Sequence, residues 1–201
     1  IAKRAHAAHA AALVDPKLWL CNRTNTALET LLHSTNLGNV LRAISSLEMF
    51  SLISVVVSSR MVAEGAVPKL FKLLTTCNRS APHQKIVSHA LRVLFNVGAR
   101  EAELAALRAQ PEALPVLVEL LQGYRDKAFH ATLTADILAV LRRMLVGAPD
   151  GWLAQVAHRH PECVKRLEGV TALLQRAHKP AADESRASLG GKAPTTPAPK
   201  P

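Results

Sequence analysis

The chain has 201 residues, 49% hydrophobic and only 3% aromatic, enough for one domain whose core rests on Leu, Val and Ala. No apolar run reaches the roughly 18 residues of a membrane span, because Ser54 and Ser58 break the longest one around Val55–Val57. The net charge of +10 is uneven: residues 1–23 hold four basic residues against one acidic, and residues 176–201 hold five against two. Such ends suit an acidic partner such as a tubulin surface, RNA or an anionic membrane, or are simply solvated. Three isolated cysteines, Cys21, Cys77 and Cys163, point to a reducing compartment and lack metal-ligand spacing. No signal peptide is visible, since the start carries Lys3, Arg4, His6 and His9. The chain begins at Ile1 rather than Met, which reads as a fragment or a processed piece.

In chain order, the Ala-rich basic segment 1–23 reads as a helical lead-in from an upstream region, interrupted at Asp15-Pro16. Thr26–Ser34 reads as a short amphipathic helix through Leu28, Leu31 and Leu32, and Asn36-Leu37-Gly38-Asn39 as a turn. From Val40, the spacing of Leu41, Ile44, Leu47 and Phe50 predicts a longer helix. A short helix over Ser58–Ala63 should stop at Gly65. A second follows with Pro68 near its start, where a missing N–H costs little. TTCNRSAP reads as a loop, and His83–Val97 as a third helix.

The next segments repeat the pattern. Glu101–Ala109, Leu114–Leu121 and Ala131–Leu145 are expected as first, second and third helices, with Gln122–Lys127 as the loop. Val67, Leu70, Phe71, Leu73 and Leu74 each have an apolar partner 47 residues later, in Leu114, Leu117, Val118, Leu120 and Leu121. Pro68 and Pro115 share that offset, as do Leu91 and Leu138, and Leu94 and Leu141. Ile44, Leu47 and Phe50 lie one offset before Leu91, Leu94 and Val97, so the earlier long helix is a degenerate copy of the third. Helical periods of about 40 to 47 residues mark armadillo and HEAT arrays, whose units cover one another's apolar faces. The fold class predicted is therefore all-α: an armadillo/HEAT-like right-handed helical solenoid over 24–178.

After Gly147–Gly151, Trp152–Ala157 and Glu162–Leu167 read as short helices. Glu168-Gly169-Val170 echoes Glu64-Gly65-Ala66, with Leu173-Leu174 opening an incomplete capping copy. Residues 179–201, rich in Pro, Ala and Lys, are expected to be a disordered tail dispensable for folding. Val67, Leu70, Leu74, Leu91, Leu94, Leu114, Leu117, Leu121, Leu138 and Leu141 are expected in the core.

No phosphate-binding loop, dinucleotide glycine pattern or nucleophile elbow is present, so catalysis and cofactors are not expected. Cys77 near His83 lacks any sign of the positioned base and oxyanion site a nucleophile needs. His6 with His9, and His158 with His160, lack converging carboxylates or thiols, so no metal is expected. The candidates for contact lie on third helices: Lys85, His89, Arg92, Asn96, Arg142 and Arg143. Arg suits carboxylates and Asn suits peptide groups. Asn96 has Met49 and Arg143 at its repeat positions, so no asparagine ladder exists for a long extended peptide. Asn78 and Arg79 form an edge loop of the same repeat. Aromatics do not interleave with these charges, which disfavours nucleic acid.

At SLEMFSLISVV, MVAEGAVPKLFKLL, TTCNRSAPH, HALRVLFNV and LPVLVELLQGYRDK the chain resembles the C-terminal armadillo-like region of the abnormal spindle family. The resemblance spans about Leu28 to Lys127 and is most specific at Cys77-Asn78-Arg79-Ser80 with Pro82, and at Leu-Leu-Gln-x-Tyr-Arg-x-Lys. It fades after about Leu145, and the Pro/Lys tail departs from it. It implies a non-enzymatic mitotic protein at spindle poles, associated with microtubule minus ends and acting in spindle organisation and orientation. It also implies cytoplasmic and cytoskeletal localisation, the nucleus in interphase, and protein partners that include microtubules or microtubule-severing factors. In the family, calmodulin-binding IQ motifs precede this region. None is complete here, so calmodulin is expected only through upstream motifs. The alternative is a general armadillo/HEAT peptide-binding adaptor unrelated to the spindle.

Overall fold

The computed structural model describes residues 16–124 and 130–177, with side chains over 18–124 and 130–169. The lead-in before Pro16, the loop end at 125–127 and the expected tail 179–201 lie outside the described residues. Among the described residues there are ten helices and no strand. They are α1 (Pro16–His33), α2 (Leu37–Ile53), α3 (Val55–Ala63), α4 (Ala66–Thr76) and α5 (Ala81–Val97). Then come α6 (Glu101–Ala109), α7 (Ala113–Tyr124), α8 (Ala131–Leu145), α9 (Trp152–Arg159) and α10 (Pro161–Ala177). Two compact units divide between Val164 and Lys165; the second contributes only the later part of α10 to the described residues.

In the first unit, helices at equivalent sequence positions pack in succession. The long third helices run α2 against α5 and α5 against α8. The second helices run α1 against α4 and α4 against α7, and the first helices pair α3 with α6. The 47-residue offset thus reappears as contact between like helices. α5 is covered from both sides, and Ile86, Val87, Ala90, Leu91, Val93, Leu94 and Val97 are all buried. At 100° per residue these seven positions fall on one broad face of the helix, and the neighbours α2 and α8 share in covering it.

Local chemistry sets the helix ends. The Asn36 side chain accepts from the Gly38 and Asn39 amides at 2.8 and 3.2 Å, capping α2. Leu37–Asn39, expected as a turn, is therefore the first turn of α2. Ser54 separates α2 from α3 alone: its N–H donates to the Phe50 carbonyl and its hydroxyl accepts from the Val57 amide at 3.4 Å. That cap starts α3 at Val55, three residues before the expected Ser58. Gly65 sits at φ +72°, a left-handed conformation that side chains resist, between α3 and α4. An added Cβ there would meet nothing within 4 Å, so the dihedral, not space, calls for glycine.

Further expectations are corrected. α1 begins at Pro16 rather than Thr26, with the proline at its first position, where a missing N–H costs little. Inside α1 the hydroxyls of Thr24, Thr26 and Thr30 donate to the carbonyls four residues back. α10 continues through Gly169, so Glu168-Gly169-Val170 is not a turn and Leu173-Leu174 starts no new helix. Leu138 is half-buried, whereas the other nine expected core residues are buried. It occupies the Leu91 position of α8, the last third helix, whose main neighbours α5, α6 and α7 all precede it. α5 begins at Ala81 and α7 runs on to Tyr124, so both helices are slightly longer than expected.

Candidate functional site

The row α2–α5–α8 carries most of the expected contact residues, and a polar ladder crosses its middle. Glu48 of α2 pairs with His89 Nδ1 and faces Arg92 Nη1 at 3.7 Å. Arg92 Nε donates to Asp136 Oδ2 of α8 at 3.2 Å. The Ser88 hydroxyl donates to the same carboxylate oxygen at 2.6 Å. Arg92 therefore lies between two carboxylates, one from each neighbouring helix. Its side chain keeps 42% of its exposure, so each ion pair is worth only about 0–1 kcal/mol. The ladder's main contribution is register, because it joins one α5 residue to both neighbours.

Asn96 also faces inward along the row. Its amide donates to Ser51 Oγ at 3.1 Å, and Ser51 donates to the Glu48 carbonyl at 2.8 Å. It thus joins α5 to α2 and does not serve the free carbonyls at its own helix end. Arg143 of α8 donates to the Phe95 carbonyl at 2.9 Å and lies over the Phe95 ring, 3.7 Å from its centroid. Burial pushes its pKa below the usual guanidinium value. Two of the expected residues remain open: Lys85 and Arg142 are exposed and make no side-chain hydrogen bond or ion pair among the described residues.

Asn78 and Arg79 belong to a different place. They precede the N-terminus of α5, a helix roughly 25 Å long, while Asn96 is near its C-terminus. Asn78 Oδ1 accepts from the Ser80 amide at 2.9 Å, shaping the loop. The Arg79 guanidinium lies against Gly123 of α7, where an added Cβ would come within 3.0 Å of it. Arg79, Cys77 and Tyr124 border a hollow of about 130 Å³. Burial raises the Cys77 pKa to about 11, so it is a neutral thiol at neutral pH. His83 Nδ1 pairs with Ser80 Oγ at 2.9 Å and not with Cys77.

Sequence reasoning missed the internal partners Glu48, Ser51, Ser88 and Asp136. It also missed a run of exposed apolar side chains at the α2–α3 corner: Met49, Leu52, Ile53, Val55 and Val56, each at least 50% exposed. A signal was available. Ile44, Leu47 and Phe50 already fill the buried stripe of α2, so apolar residues between and beyond them must face elsewhere. Among the described residues no three His, Cys, Asp or Glu gather to hold a metal ion, and no helix is long and apolar enough to cross a membrane.

Comparison with known proteins bears directly on the resemblance. The chain is 31% identical over 169 residues to the abnormal spindle-like microcephaly-associated protein homolog of Felis catus. It is 30% identical over the same length to the Bos taurus homolog and to the Homo sapiens protein. This chain is homologous to a stretch of the abnormal spindle-like microcephaly-associated proteins. The match takes in 80% of the chain but only 5% of each relative's length. No family model matches the chain. No solved structure matches it.

Proposed function

We propose that this chain is a non-catalytic protein-interaction module of a mitotic spindle-pole protein, built as an armadillo/HEAT-like right-handed solenoid. The observation that carries the functional reading is homology over 80% of the chain to proteins named for the spindle. The solenoid reading is supported by like helices packing on like helices at a constant 47-residue offset. The module serves microtubule minus-end association, spindle organisation and orientation. Its partners are proteins at spindle poles, including microtubules or microtubule-severing factors. Calmodulin belongs to IQ motifs upstream. The homology favours this reading over a general peptide adaptor unrelated to the spindle.

The test is localisation. The fluorescently tagged chain, expressed in dividing cells, is imaged with spindle-pole and nuclear markers. Concentration at the poles in mitosis, with nuclear signal in interphase, is expected. A uniform mitotic distribution contradicts the proposal.

A further inference from the structure

The C-terminal ends of the third helices differ from their middles. There, two hollows adjoin across the end of α5, sharing Phe95, Ala99, Arg100 and Arg143 as walls. The smaller, about 210 Å³, reaches Leu52 and Val55 at the α2–α3 corner. The larger, about 470 Å³, reaches Arg142 and Val146 of the α8 end. Leu52 and Val146 are 72% and 66% exposed. With exposed Ala99 they fall at one position of three successive units, each 47 residues from the next. An apolar position left open in every unit is not core packing that failed once. Single exposed apolar residues need no explanation, but a contiguous set does.

Charge narrows what can cover it. Arg142 makes no side-chain bond, and the Arg100 side chain is 55% exposed although it faces Glu103 at 3.6 Å. Glu101 is the carboxylate among the walls of these hollows, and it is tied to Arg108 Nη1 at 2.6 Å. The hollows therefore present apolar walls with a basic rim. We infer that this end of the row is a docking groove for an extended peptide segment that alternates large apolar with acidic side chains. Neighbouring helices stand about 8–10 Å apart, and an extended chain advances about 3.3 Å per residue. Apolar anchors about three residues apart would meet Leu52, Ala99 and Val146 in turn, with carboxylates between them on Arg100 and Arg142. The inference deepens the interaction-module reading and rests on it for a protein partner. The groove is recessed between helix ends, which suits a peptide better than a flat membrane surface.

The probe is a phage-displayed library of random peptides, selected on the full chain, with the consensus peptide then made and labelled for anisotropy. Selection should enrich Asp or Glu interleaved with Leu, Ile, Met or Phe. Two variants read the groove: Leu52→Ser with Val55→Ser, and Arg100→Ser with Arg142→Ser. All four residues are exposed, so helical content should be unchanged by circular dichroism. Each pair should weaken the peptide by about tenfold or more, and affinity should fall with added salt for the acidic contacts. Failure to enrich peptides, a consensus without acids, or affinity unchanged in both variants overturns the inference. Binding of phosphatidylserine vesicles that the same variants abolish, with no peptide selected, also overturns it in favour of a membrane. Because the assay contains no spindle component, it can fail while localisation succeeds, and the reverse.

Discussion

The middle and the C-terminal end of the third-helix row handle charge in opposite ways. In the middle, Arg92 and His89 are matched by Glu48 from one side and Asp136 from the other. At the end, Arg142 and the exposed apolar residues Leu52 and Val146 have no such internal match. The centres match charge with charge between helices, whereas at the ends Asn96 and Arg143 still join neighbours but Arg142 and the apolar residues around it stay available. Positive charge on a repeat face does not by itself mark a binding surface; the neighbours' carboxylates must be counted first.

The largest effects should come from removing what lies beneath both regions. Leu94 is fully buried on α5, and Leu94→Ala should cost roughly 2–5 kcal/mol in denaturant unfolding. A neutral result would mean that α5 is not the shared core helix. Arg108 comes next. It is buried and donates to the Met144 and Val146 carbonyls at 3.0 and 2.9 Å, fixing the C-terminal end of α8. Arg108→Met should lose about 1–3 kcal/mol by leaving those carbonyls unpaired. An unchanged melting temperature would show that they find other partners.

Acid should reach the structure through Glu103, which is buried between α6 and α3. The Ser59 hydroxyl holds its pKa below the ordinary carboxylate value, against the upward push of burial and with help from Arg100. A folded value below the unfolded one gives stability that is full above the ordinary carboxylate range and is lost as pH falls through the folded value. Glu103→Gln should lower stability at neutral pH and flatten the loss below about pH 4. Parallel melting curves for both proteins across that range would contradict the assignment. Smaller still is the ladder: a double-mutant cycle of Arg92→Ala and Asp136→Ala should give a coupling of about 0.5–1 kcal/mol. A coupling of zero would remove its register role.

Much of this fold was legible in the sequence because its core is periodic twice over. Apolar residues recur along each helix, and whole helices recur at 47, so Leu70 with Leu117 and Leu94 with Leu141 were placed correctly. The stretch of α1 just before Thr26 was not legible; there the Thr24 hydroxyl is satisfied within the helix by the Leu20 carbonyl four residues back. Nor was the continuation of α10 through Gly169, where the echo of Gly65 lacks its left-handed backbone. At the candidate site, the sequence placed Arg92, Asn96 and Arg143 on third helices. It could not show that Glu48, Ser51 and Phe95 already engage them, because those partners lie 44 to 48 residues away. The open end escaped notice because its apolar residues sit next to core residues in the chain and differ only in the face they occupy.

The contrast between matched middle and open end is tested most directly by two single variants measured side by side. Arg92→Ala and Arg142→Ala remove the same charge one repeat-row apart on α5 and α8. For each, unfolding free energy and affinity for the selected acidic-apolar peptide are measured on the full chain. The account predicts that Arg92→Ala lowers stability by about 1 kcal/mol and leaves peptide affinity unchanged. It predicts that Arg142→Ala leaves stability within about 0.5 kcal/mol and weakens the peptide several-fold. The reverse pattern, with Arg92→Ala weakening the peptide and Arg142→Ala destabilising the fold, would contradict it.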